Sequence, residues 1–122
     1  DIEKRKEVFR DLTPQAIKIF NERYPNIPKI SYASVVYNSP VDEMTWIFRK
    51  LSQWGKDVMP QDHDGFVPLE SQYWGQTLGH YQLDHFSQIG LGPKMKYQQA
   101  KFESSMKQIL DFLTIQTAPN IR

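Results

Sequence analysis

Apolar residues along this chain recur either at helical spacing or in short continuous runs, and the two patterns separate its predicted elements. Thr13-Pro14 and Ser39-Pro40 are typical helix starts, because the hydroxyl caps free amides and proline needs no donor at the first helical position. Gly79 is typical of a residue that ends a helix. Apolar stripes and these signals predict four helices, at residues 14–24, 40–58, 70–78 and 102–113.

Two runs rich in β-branched and aromatic residues predict strands, from Lys29 to Tyr37 and from His80 to Leu83. A helix is predicted between them, and a strand-helix-strand unit implies a parallel pair. The first run is apolar on both faces, as expected for a strand covered on both sides. Two parallel strands do not make a stable sheet alone. The sequence therefore predicts an α/β fold, specifically the C-terminal portion of a larger sheet protein.

Composition and charge exclude several classes of protein. The 122 residues amount to one domain or less, and 39% apolar with 24% charged residues is a globular composition. The net charge of +1 comes from well-mixed charges, so no nucleic-acid partner is expected. No run approaches the roughly 20 apolar residues of a membrane-spanning helix, and the charged N-terminus lacks the apolar core of a signal peptide. There are no cysteines, which excludes disulfides and a cysteine nucleophile.

The best candidates for chemistry are the aspartate of the Asp64-Gly65 turn and the histidine at position 85. His85 follows Asp64 by 21 positions, which is enough for a turn, a helix and a strand. Because parallel strands end at the same edge of a sheet, both side chains are expected to meet there. An acid and a histidine are two members of a Ser-His-Asp triad. The third member is not evident, since the chain contains no Gly-x-Ser-x-Gly elbow.

Three stretches of the chain carry a resemblance to a known family. They are Asp11-Leu12-Thr13-Pro14 with Phe20-Asn21, Asp64-Gly65-Phe66-Val67-Pro68 with Ser71 and Gly75, and Asp84-His85-Phe86. Over most of residues 11–90, the chain resembles the C-terminal part of bacterial triacylglycerol lipases and esterases of the α/β-hydrolase fold. The second stretch is similar to the family's acid loop and the third to its histidine loop. His63 departs from the pattern, because an asparagine usually precedes the acid.

The resemblance implies that Asp64 and His85 are triad residues of a carboxylic ester hydrolase acting on a lipid or another ester. It implies that the N-terminal part of the same hydrolase carries the nucleophilic serine, the oxyanion hole and the lid. Phe66 and Phe86, each beside one of the two residues, are expected to contact substrate. Transient contact with a membrane or lipid interface and a secreted or periplasmic location are further expectations.

No cofactor and no metal site are expected. Asp62, His63 and Asp64 are consecutive, and consecutive residues rarely all reach one ion. Some members of the family bind calcium through an aspartate two residues after the histidine, and Ser87 occupies that position here. Two alternatives stay open: a thioesterase or other acyl hydrolase on the same fold, and a non-catalytic binding or scaffold piece that keeps the shape without the chemistry.

Overall fold

The computed structural model describes residues 14–54, 56 and 62–117, and the chain divides into two compact units, Asp1–Ser31 and Tyr32–Arg122. In the first unit, helix α1 spans Pro14–Arg23. At its C-terminal end the ring of Phe20 packs on that of Tyr24, the residue after the helix, with centroids 4.9 Å apart. The predicted cap, Thr13, lies outside the described residues. So do Asp11 and Leu12 of the first family-like stretch, whereas its Phe20 and Asn21 lie in α1.

A two-stranded parallel sheet is the centre of the second unit. Strand β1 is Ala33–Asn38 and strand β2 is Gln76–Gln82. They pair in parallel, with one irregularity in the register after Ser34. The mixed α/β class and the parallel pairing are thereby confirmed. Membership of an α/β-hydrolase sheet stays a prediction.

The predicted helix over residues 70–78 is wrong. Only Leu69–Gln72 forms a helical turn, of the 3-10 type, and Gly79 lies inside β2 instead of ending a helix. Gly75 explains the difference, because its φ of +67° breaks the helical path. A Cβ at this position would also lie 2.1 Å from the carbonyl oxygen of Tyr32. The glycine therefore lets the chain turn closely past the start of β1 and enter β2.

Helix α2 spans Trp46–Trp54 and begins later than the Ser39-Pro40 signal predicts. Two turn bonds come first, from the amides of Glu43 and Met44 to the carbonyls of Pro40 and Val41. The carbonyl of Thr45 then accepts the amide of Arg49, which is the first bond of helical spacing. The amide of Thr45 donates to the carboxylate of Asp84. A side chain remote in sequence therefore sets the helix start.

Helix α3 spans Met95–Thr117 and packs against β2 and the 3-10 turn Ser87–Ile89. It is longer than the predicted helix over residues 102–113. Its buried side chains are Gln98 and Ser105, while Leu110 and Leu113 of the predicted apolar stripe are exposed. The described residues thus form three α-helices, and none of these is long and apolar enough to cross a membrane.

The core of the second unit lies toward the carboxyl ends of the two strands. Val36, Met44 and Leu83 are completely buried, and each buried side chain of this size contributes about 1.5–3 kcal/mol. Tyr37 and Phe48 are the other buried apolar residues in the described part of the chain. The polar segments that follow the strands are therefore built on the most firmly packed part of the unit.

Strand β1 has an outer edge, opposite β2, that no other strand occupies within the described residues. Near the end of β1, the side-chain carboxamide of Gln72 makes the pair of hydrogen bonds that a neighbouring strand would make. Its Oε1 accepts the amide of Tyr37 at 2.7 Å, and its Nε2 donates to the carbonyl of Tyr37 at 2.9 Å. The same Nε2 donates to the carbonyl of Val67 at 3.1 Å. Gln72 therefore ties the end of β1 to the loop that contains Asp64.

Candidate functional site

The loop that carries Asp64 is held by hydrogen bonds to its own residues and to the end of β1. Ser39, just past β1, donates its amide to the carbonyl of His63, and the amide of Asp64 donates to the carbonyl of Val67 at 3.2 Å. The amide of Gly65 donates to Nδ1 of His63 at 2.9 Å. Gly65 has a φ of +102°, and a Cβ there would lie 2.5 Å from Cβ of Phe48. Only glycine fits this position without rearrangement.

The carboxylate of Asp64 is almost completely buried, with 1% of the residue exposed. Its Oδ1 accepts the backbone amides of Phe66 at 2.9 Å and Val67 at 2.7 Å. Its Oδ2 lies 2.8 Å from Nδ1 of His85 and also accepts Nε2 of Gln88 in a short hydrogen bond. The prediction that Asp64 and His85 lie within hydrogen-bond reach is therefore confirmed. Their catalytic role stays a prediction.

His85 is bound to Asp64 through both its main chain and its side chain. Its amide donates to the carbonyl of Asp64 at 2.8 Å, in addition to the bond made by its ring. A carboxylate only accepts, so Nδ1 of His85 carries the proton in this pair. The other ring nitrogen, Nε2, makes no hydrogen bond within the described part of the chain. With 38% of its side chain exposed, the imidazole of His85 is only partly buried.

Aromatic rings flank the imidazole of His85. The ring of Phe48 meets it edge-to-face at 5.8 Å between centroids, and that of Phe66 lies at 5.3 Å with a tilt of 49°. Phe86 packs edge-to-face on Phe48 at 4.6 Å. Phe66 and Phe86, the two predicted substrate contacts, are 48% and 38% exposed. They are thus partly open surfaces beside the histidine, and their contact with substrate stays a prediction.

A second buried carboxylate, that of Asp84, precedes the histidine directly. It accepts the amide of Thr45 and, at 2.9 Å, the amide of Ser87. Burial raises the pKa of Asp84, but the hydrogen bonds from Thr45 and Ser87 outweigh it and lower the pKa overall. Asp84 is not among the site residues predicted from the sequence. An aspartate three positions before a polar turn residue, as in a helix cap, is the signal that would have found it.

The remaining histidines have structural partners. His63 is buried, and burial lowers its pKa more than the charges of Asp64 and Asp62 raise it. His80 is exposed and pairs through Nε2 with Oδ1 of Asn38 at 2.9 Å. No group of three or more histidines, aspartates or glutamates is placed to hold a metal ion among the described residues. The expected absence of a metal and of a cofactor stays a prediction.

Comparisons of the chain with protein-family models, with curated proteins and with solved structures found no match. The lipase-like interpretation therefore depends on two observations. One is the set of three family-like sequence stretches. The other is the geometry of Asp64 and His85.

Proposed function

We propose that this chain is the acid- and histidine-bearing segment of a serine hydrolase that cleaves carboxylic esters, with lipids as one substrate class. The observation that carries the proposal is the hydrogen bond between the buried carboxylate of Asp64 and the half-exposed imidazole of His85, 2.8 Å long. A buried acid bound to one nitrogen of a partly exposed histidine is the arrangement that activates a hydroxyl nucleophile.

In this mechanism Nε2 of His85 takes the proton of a serine as the serine oxygen attacks the ester carbonyl. The tetrahedral intermediate collapses, and the imidazolium gives its proton to the leaving alcohol. Asp64 keeps the Nδ1–H tautomer and stabilises the imidazolium by its charge. The same two residues then activate water, which releases the acid and restores the serine. The serine belongs to residues outside this segment.

The rings around His85 support the proposal physically. Phe48 and Phe66 restrict rotation of the imidazole, so that its direction is set by the hydrogen bond to Asp64. Apolar neighbours also lower the local dielectric constant, which strengthens the attraction between Asp64 and an imidazolium. In the proposal Phe66 and Phe86 contact the acyl chain or the leaving alcohol, since they are the exposed apolar surfaces nearest the histidine.

The open edge of β1 is a second observation in favour of the proposal, because a further strand of the hydrolase could pair there. Main-chain groups along this edge have no strand beside them in the described residues, and those of Tyr37 pair with the side chain of Gln72 instead. Unpaired strand edges recruit further strands. We place there the part of the hydrolase that carries the nucleophile, because a serine elbow follows a strand of the same sheet.

The test is hydrolysis of a short-chain chromogenic ester by the native protein that contains this segment. His85→Ala is expected to lower kcat by about 10⁴-fold or more, because the base is lost. His80→Ala is the matched control, since His80 is an exposed histidine that pairs only with Asn38 among the described residues. Retained activity in His85→Ala, or equal losses in both variants, would contradict the proposal.

The isolated 122-residue chain gives a second test. It is expected to show no esterase activity, because Asp64 and His85 have no nucleophile to activate. It is also expected to self-associate through the β1 edge, as light scattering would detect. Turnover that His85→Ala abolishes would mean that a nucleophile lies within the chain. A cooperatively melting monomer of 14.4 kDa would mean that no further strand is needed.

A further inference from the structure

The carboxylate of Asp64 has one donor for each of its acceptor positions. An ionised carboxylate offers about four lone-pair sites, two on each oxygen. The amides of Phe66 and Val67 fill those of Oδ1, and His85 and Gln88 fill those of Oδ2. Within the described part of the chain, Gln88 is therefore the only group besides His85 that donates to Oδ2 of Asp64.

Gln88 reaches this oxygen from a rigid turn. Its own amide donates to the carbonyl of Asp84 at 3.1 Å, and the 3-10 turn Ser87–Ile89 is closed by the amide of Gly90, which donates to the carbonyl of Ser87 at 3.2 Å. Gly90 has a φ of +74°, the left-handed conformation that ends such turns. The backbone from which the Gln88 side chain extends is thus fixed by hydrogen bonds directly after the histidine.

The chemical type of the side chain matters as much as its position. A neutral carboxamide donates a hydrogen bond and leaves the full negative charge of Asp64 available to an imidazolium. A lysine or arginine at the same place would compete with the histidine as a counter-ion. An apolar side chain would leave His85 as the one donor to Oδ2 among the described residues. This oxygen could then tilt away from the imidazole while the amides of Phe66 and Val67 kept Oδ1 in place.

We propose that Gln88 is a positioning residue for the Asp64–His85 pair. It fixes Oδ2 of Asp64 and thereby holds His85 in the Nδ1–H tautomer, which keeps the lone pair on Nε2. The effect on the histidine concerns this chain alone. The effect on turnover rests on the proposed hydrolase function.

The first test is the tautomer of His85, read from the ¹⁵N chemical shifts of its ring in the native protein at about pH 9, where an ordinary imidazole is uncharged. The wild type is expected to show Nδ1–H almost alone. Gln88→Met keeps the length of the side chain without its donor and is expected to give a mixture of both tautomers. Gln99→Met, at an exposed glutamine of α3, is the control and should match the wild type. An unchanged tautomer in Gln88→Met would overturn the proposal.

The second test is turnover of the short-chain ester by the native protein. Gln88→Met is expected to lower kcat about tenfold, the size of one hydrogen bond to a charged group, with KM within about twofold. Gln88→Glu replaces the donor by a second carboxylate and is expected to lose more, with the tautomer shifted as well. Wild-type kcat in both variants would overturn the positioning role. If His85→Ala keeps full activity, the proposed hydrolase function is wrong. The tautomer measurement still decides whether Gln88 positions the Asp64–His85 pair.

Discussion

Asp64 and Asp84 are two carboxylates that are equally buried but differ in the side chains that bind them. Each is 1% exposed, and each lies in a polar segment at the carboxyl ends of the strands. Asp84 accepts two backbone amides, those of Thr45 and Ser87, and so joins the start of α2 to the turn after the histidine. Asp64 accepts two backbone amides as well, and in addition two side chains, one of which is an imidazole open to solvent.

The difference shows what makes a buried acid a candidate for catalysis. Burial and hydrogen bonds to the backbone are common to both residues, so neither distinguishes function from structure. What Asp64 has in addition is a titratable partner, His85, whose second nitrogen is unoccupied in the described residues. Asp84 stabilises the loops on which that pair depends.

The largest expected effect is on turnover. Asp64→Asn is expected to lower kcat of the native protein about 10⁴-fold, because an amide no longer fixes the tautomer or stabilises the imidazolium. Folding should persist, since the oxygen of asparagine still accepts the amides of Phe66 and Val67. Ester hydrolysis and the thermal midpoint, measured together, check this. A kcat close to that of the wild type would mean that Asp64, like Asp84, has only a structural role.

The next largest effect is on stability. Asp84→Ala is expected to lower the free energy of unfolding by about 3 kcal/mol, because two buried amides lose a charged acceptor. Chemical denaturation of the native protein would measure it. Asp111→Ala is the control, since Asp111 forms an exposed pair with Lys107 that is worth about 0.5 kcal/mol or less.

The acid dependence of this stability has a definite sign. The pKa of Asp84 is lower in the folded state, so its contribution is full above the unfolded value of about 3.9 and is lost as pH falls through the lowered folded value. Asp84→Ala is therefore expected to lose less stability than the wild type over that acid range. Parallel losses would contradict the role assigned to Asp84.

A smaller effect is expected at His63, which supports the acid loop. Burial lowers the pKa of His63, so its contribution to stability is full above the unfolded value of about 6.5 and is lost as pH falls below it toward the folded value. Protonation would in addition break the hydrogen bond that Nδ1 accepts from the amide of Gly65, at a cost of about 1 kcal/mol. Urea midpoints between pH 7 and acid should fall more steeply in the wild type than in His63→Asn, which keeps an acceptor. Equal slopes would contradict this.

The smallest expected effect is that of calcium. Ser87 offers no charge to a hard cation, and its amide is already bound to Asp84. Thermal midpoints with calcium and then with a chelator are expected to agree within error. A clear increase with calcium would contradict the expectation.

The meeting of Asp64 and His85 could be predicted because it depends on topology. Two parallel strands end at the same edge of their sheet, so the segments that carry Asp64 and His85 meet there whatever structure the residues between them adopt. The details themselves were wrong, since residues 70–78 form one 3-10 turn and then β2. The φ of Gly75 and its approach to Tyr32 decide this, and neither is visible as a pattern.

Residues that act across long sequence distances could not be predicted. Asp84 sets the start of α2 through Thr45, and the local signal at Ser39-Pro40 therefore misplaced that helix. Gln88 contacts Asp64 because the 3-10 turn Ser87–Ile89 brings its side chain close to that carboxylate. A glutamine three residues after a histidine is not a recognisable sequence pattern. Such contacts follow from tertiary packing, which overrides local preference.

The most direct measurement is a crystal structure of the native protein after reaction with an alkylphosphonate ester, which modifies activated serines. We expect one phosphonylated serine, from outside these residues, with its Oγ roughly 3 Å from Nε2 of His85 and the bond from Nδ1 to Asp64 intact. A protein that does not react, or a modified serine remote from His85, would contradict the claim that Asp64 and His85 serve a serine nucleophile.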